Sequence, residues 1–72
     1  MTYAVVIEQA PDNCAAYVPD LPGCVTTGAT IEETERNIRE AIEPRLDGMR
    51  EDGLPIPRPR TVAVEVEAGA VV

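Results

Sequence analysis

Tyr17-Val18-Pro19-Asp20-Leu21-Pro22-Gly23-Cys24, followed by Val25-Thr26-Thr27 and then Gly28-Ala29-Thr30-Ile31-Glu32-Glu33, writes a strand, a tight turn, a second strand and a helix start in direct succession. Pro22 presets φ for position i+1 of a turn. Gly23 suits position i+2 of a type II turn, where φ is positive and a Cβ would clash. Leu21 to Cys24 is therefore expected to reverse the chain. Thr30 with Glu33 three residues on forms a capping box, its hydroxyl and carboxylate each satisfying an orphan backbone N–H at the start of a helix. Gly28 would let the chain bend from the strand toward that helix.

Outward from this stretch, Tyr3 to Gln9 is rich in β-branched and apolar residues and reads as an opening strand. Tyr3, Val5 and Ile7 point to one face and Ala4 and Val6 to the other, so both faces carry apolar groups. Ala10-Pro11-Asp12-Asn13 is a turn, and Cys14 to Val18 returns as the second strand. From Ile31 the apolar positions Ile31, Ile38, Ala41, Ile42, Leu46 and Met49 recur at helical spacing, which predicts an amphipathic helix with one buried stripe. Pro44 breaks the pattern's chemistry but not its phase, so a kink or a restart is expected there. Gly53 ends the helix, Leu54-Pro55-Ile56-Pro57-Arg58-Pro59 is an extended link, and Thr61 to Glu67 alternates with Val62, Val64 and Val66 inward, as a final strand would. The expected architecture is α+β, β-β-β-α-β, one helix on a mostly antiparallel four-stranded sheet, in a single domain spanning residues 1–72. One helix covers one face of such a sheet. The two-sided pattern of the first strand then calls for a second chain on the other face, as a homo-oligomer would provide.

The order of these signals resembles the HicB-like antitoxin family of toxin-antitoxin systems, from Tyr3-Ala4-Val5-Val6-Ile7-Glu8 through Glu51-Asp52-Gly53-Leu54-Pro55-Ile56-Pro57. The resemblance implies a reduced, partial RNase H-like fold without the nuclease site, and a HicA-like toxin as partner: a small basic RNA-cleaving protein that the antitoxin neutralises by occlusion. Many members of that family add a C-terminal DNA-binding segment. Here only residues 61–72 follow Pro59-Arg60, reading as one strand and a short apolar tail, so no such segment is expected. On this reading the loop carrying Asp20 and Leu21, with Glu32 at the helix start, supplies the candidate partner contacts. Pro22, Gly23, Gly28, Thr30 and Glu33 build the turn and cap. Asp20 also has a purely structural role open to it, accepting backbone N–H bonds beside the turn.

Composition narrows the function classes. Thirteen acids face six arginines and no lysine, a net charge of −7, which disfavours direct binding to nucleic acid, because that affinity comes from cations that displace counterions from phosphates. An acidic surface suits a basic partner. Arg58 and Arg60, interleaved with prolines and without aromatics, read as residues that keep a link soluble, with RNA contact as the alternative. There is no histidine, the commonest general base. A two-metal site would need several carboxylates converging from Glu8, Asp12, Asp20, Glu65 and Glu67, with no histidine or lysine to assist them. No catalytic residue, metal or cofactor is therefore expected. Cys14 and Cys24, offset in register with Cys24 falling near Asp20, read as small apolar strand residues and not as a disulfide. Neither a membrane span nor an export signal is read, so a cytoplasmic setting is expected. Two readings remain beside the antitoxin: a stand-alone homo-oligomer without a toxin, and a metal-dependent nuclease.

Overall fold

The computed structural model describes residues 1–69 and contains three strands and one helix: β1 (Val6–Gln9), β2 (Cys14–Tyr17), β3 (Val25–Gly28) and α1 (Ile31–Glu51). The sheet is antiparallel in the order β1-β2-β3. Its two hairpins follow from their turn residues. Ala10 N–H donates to Asn13 O (2.8 Å) around Pro11-Asp12. The second connection is longer than one turn: Leu21 N–H donates to Val18 O, Cys24 N–H to Leu21 O (both 3.0 Å), and Val18 N–H to Cys24 O closes the pair of turns at 3.1 Å. Gly23 has φ +82°, the left-handed value that position i+2 of a type II turn requires. Because two turns are linked, Cys24 lies opposite Val18 and not near Asp20 as the single-turn reading placed it; Cys14 does lie opposite Gly28.

β1 is shorter than the expected Tyr3 to Gln9. Backbone groups on a strand face its two neighbours alternately. Val18 N–H is directed at β3, so the next residue, Pro19, is the one turned toward β1, and it has no N–H to give. The ladder stops there.

Ile7, Cys14, Ala16 and Thr26 face the helix, and Val6, Ala15, Tyr17, Val25 and Thr27 face the other way. The core is formed by Ala16, Val18, Leu21, Cys24, Ile38, Leu46 and Met49, with Tyr3, Val5, Ile7, Ala41, Ile42 and Ile56 packed against it. The helix runs through Pro44 as one element without a restart. Pro44 and Glu40, whose carbonyl loses its usual donor, both lie on the exposed side, where water can take the place of the missing bond. At its end Gly53 (φ +69°) donates to Arg50 O (3.1 Å) and Leu54 N–H to Met49 O (2.8 Å), the pair of bonds of a Schellman cap.

The expected fourth strand is not formed. Thr61 to Glu67 is exposed throughout, with Val62, Val64 and Val66 at 78%, 72% and 82% exposure, and it pairs with no edge of its own sheet. Alternation gives a segment strand propensity, but a strand also needs a neighbour. Part of the apolar tail read after it, residues 70–72, lies outside the described residues.

Candidate functional site

The loop between β2 and β3 is anchored from inside and from behind. Leu21 is fully buried (0% exposed) among the core side chains, so this candidate partner contact is not on the surface. A leucine flanked by Asp and Pro-Gly looks exposed in sequence, yet the two linked turns fold it into the core cluster to which Leu46 and Met49 of α1 also belong. Arg45 Nη2 donates to Pro22 O at 2.7 Å, tying the turn to α1. Burial raises the pKa of the neighbouring Cys24 thiol, and the Arg45 charge partly opposes that.

Asp20 is a clamp. One carboxylate oxygen accepts the N–H groups of Arg60 (2.8 Å) and Thr61 (2.9 Å), and the other accepts the Thr61 hydroxyl (2.9 Å). Its donors come from forty residues downstream and not from its own turn. The Arg60 N–H bond first, and then that of Thr61, hold the carboxyl below its ordinary pKa of 3.8. With Tyr3 Oη donating to Pro57 O, the link after α1 is fixed across one end of the sheet.

The helix start stands at the opposite end of β3. Thr30 Oγ1 accepts Glu33 N–H at 3.1 Å, and Glu33 Oε2 accepts Ala29 N–H at 2.8 Å, one residue earlier than a reciprocal capping box places it. Gly28 has no positive φ, so its role is not backbone freedom. A Cβ there would run into Thr34 Oγ1 and come within 2.9 Å of Thr34 N, which makes glycine the condition for close packing of β3 on α1. Thr34, missed in sequence, is fully buried with its hydroxyl donating to Thr30 O (2.7 Å). Its place one turn before Ile38 in the apolar stripe was the available signal. Glu32 is exposed in the first helical turn. The structure therefore does not bring Asp20, Leu21 and Glu32 together.

What it does bring together is a row across the face of the sheet away from the helix. Val6, Tyr17 and Val25 are in register on three strands, with Tyr17 41% and Val25 65% exposed. Aromatic and aliphatic groups set out in this way are the usual material of a protein interface. Glu32, Glu35, Glu40 and Glu43 are exposed along α1. The carboxylates weighed as a nuclease site are dispersed: Asp12 is in the first hairpin turn, Asp20 at the other end of the sheet, Glu8 on β1, and Glu65 and Glu67 on the exposed C-terminal segment. Among the described residues no group of three or more His, Cys, Asp or Glu could hold a metal ion. No described helix is long and apolar enough to cross a membrane.

A small antiparallel sheet with one helix on one face and an apolar row on the other belongs to the class of small α+β proteins that offer exposed faces for contact with other proteins. Residues 3–70 match the family described as the HicB-like antitoxin of bacterial toxin-antitoxin systems, and the chain belongs to that family. It is 36% identical to a UPF0150 protein of Thermoplasma acidophilum over 69 residues, covering 94% of this chain and all of that one. It is 40% identical over 58 residues to an uncharacterized 14.9 kDa protein from the rep-hol intergenic region of Haemophilus phage HP1, of whose length it spans 44%. In three dimensions it is similar to a chain of a solved HicA3 and HicB3 toxin-antitoxin complex, with a TM-score of 0.69 and 27% identity over 82% of this chain and 70% of that one.

Proposed function

We propose that this chain is an antitoxin-type protein that binds a HicA-like toxin and neutralises it by covering the toxin's active surface, with no chemistry of its own. The observation that carries the reading is the likeness to a chain of a HicA3 and HicB3 toxin-antitoxin complex, which extends over most of this chain. Charge supports it: −7 on 72 residues, with Glu32, Glu35, Glu40 and Glu43 displayed on α1, favours the approach of a small basic protein. A cytoplasmic setting and a single domain over residues 1–72 belong to the same reading. The test is co-expression with a small basic toxin encoded beside this chain. Restored growth and co-purification of the two proteins are expected, and charge reversal at Glu32, Glu40 and Glu43 together is expected to weaken both without lowering the melting temperature. A soluble, folded chain that neither restores growth nor retains the toxin would overturn the proposal.

A second reading, a stand-alone homo-oligomer, is favoured by the apolar row of Val6, Tyr17 and Val25, which the helix does not cover. The two readings are compatible if the oligomer is the form that binds the toxin. A folded oligomer with no toxin gene beside it would leave only the second.

A further inference from the structure

The free edge of β1 and the C-terminal segment complement each other. Ala10 N–H bonds across to Asn13, and the register pairs Val6 with Tyr17, so the even-numbered residues of β1 face β2. Alternation then turns the N–H and C=O of Ile7 and Gln9 outward, onto an edge with no neighbour. The helix lies over β3 and β2 and touches β1 least. Beside the β1 edge it leaves a cleft of about 330 Å³ lined by Tyr3, Val5, Ile7, Ile38 and Ile42, with Glu35 and Arg39 at its rim. The other edge is less open. Thr27, opposite Ala15 between two bonded pairs, directs its carbonyl away from β2, and Asn37 Nδ2 already donates to it at 3.0 Å.

Residues 61–67 have the alternation of a matching strand. They are exposed and carry valine at every second position, and among the described residues the hydrogen bonds of this segment end at Thr61. The Asp20 clamp roots the segment at the β2–β3 loop, and beyond it residues 62–67 are exposed and pair with no strand of their own sheet.

We propose that two copies of this chain exchange these segments, residues 61–67 of each adding as a fourth strand to the β1 edge of the other, with Val62, Val64 and Val66 laid into the cleft. This deepens the self-association reading and is independent of toxin binding. A second copy is the fitting occupant because each chain carries one open edge and one unpaired strand. Reciprocal exchange about a two-fold axis therefore uses both and leaves neither over, whereas a different partner would cover the edge and still leave three valines in water.

The experiment is light scattering on the full chain and on Val64→Pro, which removes a ladder N–H from a segment outside the folded body. The parent is expected at twice the 7.7 kDa chain mass and the variant at the single mass, with the helical signal in far-UV circular dichroism retained and only the strand contribution reduced. In mixed dimers of isotope-labelled and unlabelled chains, nuclear Overhauser effects are expected between arm valine methyls of one copy and Tyr3 or Ile42 of the other. A dimer that survives Val64→Pro, with contacts between copies through Tyr17 and Val25 instead, would overturn the exchange while leaving self-association standing. A parent that is a monomer at tens of micromolar would overturn both.

Discussion

The loop from Val18 to Cys24 and the link from Leu54 to Thr61 meet at the same end of the sheet and are held by different means. The loop is closed by its own backbone, three N–H to C=O bonds around two turns, with Leu21 sealed into the core beneath it. The link makes no turn of this kind; Tyr3 holds Pro57, and the Asp20 carboxylate holds Arg60 and Thr61. The first region depends on packing and backbone geometry, and no carboxylate takes part in the bonds that close it. The second can be released by a proton. A body that is complete by itself thus carries a segment that is only moored to it.

The largest expected effect breaks the first region. Leu21→Ala removes a fully buried side chain from the centre of the cluster and is expected to cost about 2–5 kcal/mol, read as a drop in the urea midpoint. For a small body this takes most of the margin. Gly28→Ala comes next, at about 1–3 kcal/mol, because the new methyl meets the hydroxyl and backbone of Thr34 and α1 must move to admit it. The double change Gly28→Ala, Thr34→Ala removes the clashing hydroxyl and is expected to recover only part of the loss, since the Thr34 backbone also stands in the way, and the same melts measure it. Gly23→Ala is expected to cost about 1–2 kcal/mol through the positive φ alone, as the site is otherwise open to a methyl.

The smallest effect on stability falls on the second region and sharpens the contrast. Asp20 has its pKa lowered in the folded protein, chiefly by the Arg60 N–H and then by that of Thr61. Its contribution is complete above the ordinary carboxylate value and is lost as pH falls through the lower folded value. Amide resonances of Arg60 and Thr61 are expected to shift in that acid range while those of β2 and β3 stay in place. Asp20→Asn abolishes the step and leaves the melt of the body nearly unchanged. A pH step shared by the whole chain would show that link and body are one cooperative unit.

How much of this was legible follows the same division. The Pro22-Gly23 turn, the Thr30 cap and the Gly53 terminus depend on residues within a few positions of one another, and each forms close to where the sequence puts it. Gly28 was legible as important and misread as to cause, because its reason is Thr34 packed against it from the helix. Leu21 is inside and not on the surface, and Asp20 accepts backbone N–H bonds as its structural role has it, but from a distant link. What holds them, the core side chains of α1 for Leu21 and Arg60 and Thr61 for Asp20, stands far along the chain, and no local pattern names it. The alternation of Val62, Val64 and Val66 was legible as strand propensity, but the pattern is silent about whose edge it pairs with.

Amide hydrogen exchange on the full chain, read residue by residue across a dilution series, tests the division between body and moored segment most directly. Slow exchange is expected in β2, β3 and the middle of α1 at every concentration. At the alternate amides within residues 62–67 that face the β1 edge, slow exchange is expected only where the chain is dimeric, lost together with that of Ile7 and Gln9 on dilution. Fast exchange throughout residues 62–67 at all concentrations, or protection there that persists in the monomer, would contradict this.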